Sequence, residues 1–128
     1  MANTEKTHAE IGRATRERLL GAESKGGRVA ADELIPELAG ISDDANWGRI
    51  WSRPGLDLRT RSLCTISALL AMERYKYAYG HMRGARRIGI TREELAEAVT
   101  QLTFYAGLSV VHEGLALVAK AYEDAPLK

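Results

Sequence analysis

Apolar positions along the chain recur every three to four residues and never alternate over the length of a strand. In residues 7–23, Ile11, Ala14, Arg18 and Leu19 follow this spacing with charges between them, which predicts a helix with a thin apolar stripe. So narrow a stripe predicts packing on another surface, another subunit included, and Lys25-Gly26-Gly27 predicts the helix end. Residues 32–39 predict a short helix with Pro36 in its first turn, where a missing N–H costs least, and Gly40 behind it. Ser42 or Asp43 can cap a further helix reaching Trp51, after which Pro54-Gly55 breaks the chain.

Longer helices follow. Asp57 is placed to cap one running to Met72, with Leu63, Ile66, Leu69 and Leu70 as its apolar face and Ser67, Ala68 and Ala71 allowing close contact. Residues 73–88 predict another helix, either separate or continuous with the last, that Gly89 stops. Thr91-Arg92-Glu93-Glu94 has the form of a capping box. The helix it opens carries Leu95, Val99, Leu102 and Ala106 inward and ends at Gly107. Ser109 is placed to cap a last helix with Val111, Leu115, Val118 and Tyr122 on one stripe. The fold class is all-α, a single-domain helical bundle over residues 1–128 with a disordered tail at 1–6 and no internal repeat.

Composition narrows the function classes. Apolar residues make up 45% of the chain, enough for a packed core and too many for disorder. Eighteen basic and seventeen acidic residues leave a net charge of +1, which gives no general drive toward nucleic acid or an anionic membrane. The single cysteine, Cys64, excludes an internal disulfide and a Cys-x-x-Cys redox pair, and on its apolar helix it reads as a small core residue. The first 18 residues lack the apolar run of a signal peptide, and no segment reaches the roughly 18 apolar residues a membrane span needs, so a cytoplasmic protein is expected.

The candidate chemistry lies between Trp47 and Gly107. Tyr77 and His81 are four apart and share a helix face. Histidine can exchange a proton near neutral pH, and a tyrosine hydroxyl can hydrogen-bond a developing oxyanion. The same spacing also fits packing with one hydrogen bond. Arg49, Arg53, Arg59 and Arg61 crowd thirteen positions, and arginine forks match carboxylates at two points. Trp47 and Trp51, also four apart, can wall a pocket, with a solvated basic face over core tryptophans as the alternative. His112 and Glu113 either reach the same pocket or lie on the surface, and three scattered histidines lack metal-ligand spacing. Residues 85–95 resemble a DNA-binding helix-turn-helix, but Glu93, Glu94 and Glu97 at the start of its second helix would repel phosphates.

Together these segments resemble one family. Trp47-Gly48, Trp51-Ser52-Arg53-Pro54-Gly55-Leu56-Asp57 and Arg59-Thr60-Arg61-Ser62-Leu63 are similar to the opening of carboxymuconolactone decarboxylases. His81-Met82-Arg83-Gly84-Ala85, Gly89-Ile90-Thr91-Arg92-Glu93-Glu94 and Tyr105-Ala106-Gly107 follow in the family's order, so the resemblance covers residues 45–122. Its thiol branch, similar to alkylhydroperoxidase D, needs cysteines where this chain has Arg74 and Tyr77, which argues against thiol peroxidase activity. The decarboxylase branch fits with departures: Tyr77 replaces a glutamate four residues before the histidine, Ser109 replaces a proline, and His112 falls at an asparagine-like position.

The resemblance implies a cofactor-free, metal-free decarboxylase of 4-carboxymuconolactone or a related lactone in aromatic-compound catabolism. His81 and Tyr77 would be catalytic, and Arg49, Arg53, Arg61, Trp47, Trp51 and His112 would bind a small-molecule carboxylate. The partner it implies is a second copy of the chain, in a homo-trimer or homo-hexamer, with neither nucleic acid nor membrane. Another isomerase or lyase reaction, or a non-catalytic helical oligomer, is the alternative.

Overall fold

A computed structural model describes residues 5–128, so residues 1–4 of the expected tail lie outside the described residues. All regular structure among the described residues is helical. Helix α1 (His8–Leu20) is followed by a 3-10 turn (Gly26–Arg28), α2 (Val29–Leu34) and α3 (Glu37–Ser42). A π-helical segment (Asp43–Trp51) continues directly from α3, and α4 (Leu58–Ala71), α5 (Tyr75–Arg87), α6 (Arg92–Thr100) and α7 (Leu108–Glu123) complete the chain. None of these helices is long and apolar enough to cross a membrane.

The core forms where α4, α5, α6 and α7 meet. Ile66 and Leu70 from α4, Met82 from α5, Leu95 and Val99 from α6 and Val118 from α7 are essentially inaccessible to solvent. Gly114 brings α7 onto α4 and α6, since a Cβ there would lie 2.9 Å from a Val99 methyl. A second, aromatic cluster joins Leu19 of α1 to Trp47 and Trp51.

The expected caps at Asp57 and Thr91 are present. Asp57 accepts from the Thr60 amide at 2.7 Å, and Thr91 and Glu94 close a reciprocal capping box. Other boundaries differ from the pattern. Residues 32–39 are split: Ile35, preceding a proline, leaves the helical region, and Pro36 stands before α3 instead of inside its first turn. Glu73, at φ 57°, separates α4 from α5. Helix α6 stops at Thr100, turns span residues 101–106, and Gly107 at φ 100° leads into α7, so Ser109 lies inside that helix and caps nothing.

Helix α1 does find a surface, within its own chain. Its buried positions are Gly12, Arg16 and Leu19, whereas Ala14 and Arg18 of the expected stripe are exposed. A Cβ on Gly12 would lie 1.8 Å from the Asp43 carbonyl oxygen, and one on Gly48 would lie 2.1 Å from the His8 carbonyl oxygen. The two helices therefore meet backbone to backbone. Neither Ser42 nor Asp43 caps the segment, because the chain is already helical at Ser42 and the Asp43 carboxylate turns inward to Arg16.

Candidate active site

Helix α5 positions the site by dividing its faces. Ala78, Met82 and Ala85 point into the core, and the adjoining face presents Lys76, Tyr77, Gly80 and His81 to a cavity of about 810 Å³. The Gly26–Arg28 turn, Ala31 and Asp32 of α2, and Trp47 also line this cavity. The i→i+5 bonding of residues 43–51 winds more widely than an α-helix and brings residues four apart nearly into line. Trp47 and Trp51 consequently stack, with centroids 4.7 Å apart.

His81 completes this stack. Its ring lies 5.7 Å from Trp51 and 6.2 Å from Trp47, tilted by only 12° and 17°. Its Nδ1 is closed to solvent and has no hydrogen-bond partner. Burial without a compensating carboxylate pushes the imidazole down to about 4, so it is neutral at pH 7. Tyr77, one turn earlier, is half exposed, with its ring against Gly27: a Cβ on that glycine would come within 2.8 Å of a ring carbon.

The charges around the cavity are predominantly positive. Arg16, Lys25, Arg28, Lys76 and Arg83 line it against one carboxylate, Asp32, which suits an anionic ligand. They differ in freedom. Arg16 is held by Asp43 at 2.8 Å, and Arg83 donates to the Ala125 carbonyl and lies over the Tyr79 ring. Arg28 has Asp32 only at 3.9 Å.

Of the side chains expected in the site, Tyr77, His81 and Trp47 meet at this cavity, with Trp51 stacked behind. Arg49, Arg53 and Arg61 do not reach it. Arg49 pairs with Asp44 at 2.7 Å, and Arg53 is exposed. Arg61 donates to the Arg53 carbonyl at 3.0 Å and the Leu56 carbonyl at 3.3 Å, closing the Pro54-Gly55 turn. Arg59 pairs with Glu94. Acceptors near in sequence or across the helix layer hold most of this cluster. Arg61, Trp51 and Cys64 share a separate recess of about 130 Å³, and Cys64 is exposed, not a core residue. His112 is exposed on α7 and lines neither space.

The cations Lys25, Arg28, Lys76 and Arg83 replace that cluster at the cavity. Lys76 had a signal in the sequence, since it adjoins Tyr77 and is one turn from Gly80 on the same helix. Lys25-Gly26-Gly27-Arg28 gave another, two glycines between cations, although by pattern alone it reads as a helix end. Among the described residues, no group of three or more His, Cys, Asp or Glu side chains is gathered to hold a metal.

The model of the carboxymuconolactone decarboxylase family matches residues 36–120. The chain belongs to this family. A 4-carboxymuconolactone decarboxylase of Acinetobacter baylyi is 38% identical over 78 residues, 61% of this chain and 58% of that protein. A nitrosuccinic acid decarboxylase of Metarhizium robertsii is 35% identical over 92 residues, 72% of this chain and 59% of its own. A 15.0 kDa protein of Paracoccus denitrificans is 28% identical over 97 residues, 74% of this chain and 72% of its own. The chain thus spans under three-fifths of the length of either named decarboxylase. His81, Tyr77, Trp47 and Lys76 fall inside the family match, whereas Lys25 and Arg28 precede it.

Proposed function

We propose that this protein is a cofactor-free decarboxylase of a small carboxylic acid that carries its own electron acceptor. The observation that carries this reading is the neutral, unpartnered His81 stacked on two tryptophans beside a cavity rich in cations. In such a reaction the bond between carbon and carboxylate breaks, carbon dioxide leaves, and the electron pair passes into a conjugated carbonyl or nitro group. A proton then returns to carbon. The protein need only hold the acid, stabilise the developing oxyanion and deliver that proton.

A neutral imidazole with its proton on Nε2 leaves no buried N–H unpaired at Nδ1 and offers a donor to the oxyanion. Tyr77, on the same face, supplies a second donor, its hydroxyl. The aromatic floor lowers the local dielectric and favours charge leaving the carboxylate over charge localised on it. Binding of an anion beside His81 raises the imidazole from its depressed value, so that the ring can take up from solvent the proton it then returns to carbon.

4-Carboxymuconolactone or a related lactone of aromatic-compound catabolism is the substrate class the resemblance favours. The two named decarboxylase relatives support the reaction type. Both of their named substrates pair two carboxylates with an acceptor, an unsaturated lactone in one and a nitro group in the other. We place the protein in the cytoplasm as a homo-trimer or homo-hexamer. Side chains such as Phe104, 96% exposed, and Tyr105, 85% exposed, support association because an isolated surface gains nothing by displaying them. Tyr77 in place of the expected glutamate favours a changed substrate within the same chemistry.

The test is release of carbon dioxide from 4-carboxymuconolactone and nitrosuccinate by the purified protein, with mass by light scattering on the same sample. Turnover of either acid that disappears in His81→Ala supports the reading. Failure to turn over or bind any unsaturated lactone acid or nitro acid removes it, and a monomer at micromolar concentration removes the assembly.

A further inference from the structure

Three buried side-chain atoms among the described residues lack a hydrogen-bond partner: Arg28 Nε, Ser62 Oγ and His81 Nδ1. Two of the three, Arg28 on the Gly26–Arg28 turn and His81 on α5, belong to residues that line the cavity of about 810 Å³. A buried donor left unpaired is costly, and native structures rarely keep one without a use. From this we infer that Arg28 receives a second carboxylate of the substrate, the one retained in the product, and makes the site selective for dicarboxylic acids. The inference rests on the proposal that the cavity holds the acid.

Arg28 is the cavity arginine free to do so. Arg16 is bound at two points by Asp43, and Arg83 is engaged with the Ala125 carbonyl. Lys25 and Lys76 are exposed point charges that attract any anion without fixing its orientation. The guanidinium of Arg28 presents a planar fork that suits a carboxylate at two points. Asp32, at 3.9 Å from Nη2, is beyond hydrogen-bond length and leaves Nε unpaired.

The backbone fixes where this fork sits. Arg28 ends a 3-10 turn whose Gly26 has φ 53° and whose Gly27 lies against the Tyr77 ring. The turn is therefore registered on the α5 face that carries His81. A diacid bound in this cavity would place one carboxylate at His81 and the other at Arg28. Arg28 precedes the region matched by the family model, so this contact to the second carboxylate would come from outside the family's common segment.

Titration of the full chain with succinate and with butyrate, followed by tryptophan fluorescence, separates the two charges at equal carbon count. Wild type should prefer succinate by about tenfold to a hundredfold, the range of a charge-assisted two-point contact. Arg28→Gln should lose that preference while binding butyrate within about twofold of wild type, and Arg28→Lys, which keeps the charge without the fork, should restore part of it. Arg53→Gln, an exposed arginine away from the cavity, should keep the preference. If Arg28→Gln and Arg28→Lys, both folded by thermal melting, retain the full preference for succinate, Arg28 is not the second carboxylate site although the cavity still binds acids. If wild type binds neither acid, both this inference and the proposed site are overturned.

Discussion

Arg16 and Asp43 form a buried two-point ion pair, with Nε to Oδ1 at 2.8 Å and Nη2 to Oδ2 at 3.2 Å. Each residue is only 8% exposed. The pair fastens α1 to the π-helical segment, and that segment carries both tryptophans on which His81 stacks. The hydrogen bond to Asp43 holds the Arg16 guanidinium above its usual value, so it stays charged. The carboxylate that a capping reading assigns to a helix start thus belongs to the foundation of the site.

Asp43→Ala should consequently destabilise the protein by about 3–5 kcal/mol, because it leaves a buried guanidinium uncompensated. Replacing both partners, as in Arg16→Met with Asp43→Leu, should cost much less than either single change, since no charge is then stranded. Urea unfolding of the two single variants and the double variant measures this coupling. Equal, small losses in all three would show that the pair contributes little to docking α1.

Gly12→Ala tests the backbone contact beside it. The added methyl would meet the Asp43 carbonyl oxygen and the Gly48 amide nitrogen, and backbone atoms cannot rotate away as a side-chain tip can. The substitution would raise the propensity of an isolated helix by about 1 kcal/mol. In this protein it should instead lower the unfolding temperature and weaken the tryptophan near-UV signal as α1 moves off the π-helical segment. Stabilisation would mean that the helices do not pack this closely in solution.

These two contacts explain which parts of the fold could be read directly. Leu95 and Val99, or Ile66 and Leu70, announce their burial through spacing and apolarity, and Asp57 and Thr91 announce caps through local chemistry. Gly12, Arg16 and Asp43 announce nothing of the kind: a small residue and two charges are buried only because of each other. The site divides in the same way. His81 and Tyr77 were legible because one helix turn puts them on one face. Arg49, Arg53 and Arg61 were close in sequence to Trp47 and Trp51, but their positions along the π-helix and the Pro54-Gly55 turn aim them elsewhere. Arg28 reaches the cavity from a turn some fifty residues before His81, a proximity that only the tertiary fold creates.

Burial of His81 should appear in the pH dependence of stability. Its ordinary value is 6.5 and its folded value about 4, so between these limits the unfolded chain binds the proton and the folded chain does not. The contribution is present in full above pH 6.5 and is lost as the pH falls toward 4, by an amount on the order of 3 kcal/mol. Carboxylates elsewhere titrate in both wild type and His81→Gln and largely cancel in the comparison. The stability of wild type relative to His81→Gln should therefore decline from pH 7 to pH 4, and parallel curves would show that His81 is solvated.

The sharpest test of the chemistry is the division of work between His81 and Tyr77. His81→Ala should lower kcat by roughly 10²–10⁴-fold if the imidazole delivers the proton. Tyr77→Phe removes only the hydroxyl and keeps the ring against Gly27, so the wall of the cavity should survive. If that hydroxyl bonds the oxyanion, kcat should fall by roughly 10²–10³-fold with little change in KM, because the contact strengthens only in the transition state. Near-normal turnover in Tyr77→Phe would instead assign the ring to packing alone. Tyr77→Glu installs the residue that the family resemblance expects one turn before the histidine. It should move activity toward 4-carboxymuconolactone and, by adding a negative charge beside a buried imidazole, raise the His81 value above its depressed level. An NMR titration of the imidazole in Tyr77→Glu reads that shift independently of any substrate. Full turnover on the true substrate in both His81→Ala and Tyr77→Phe would mean that this face of α5 is not where the bond is broken.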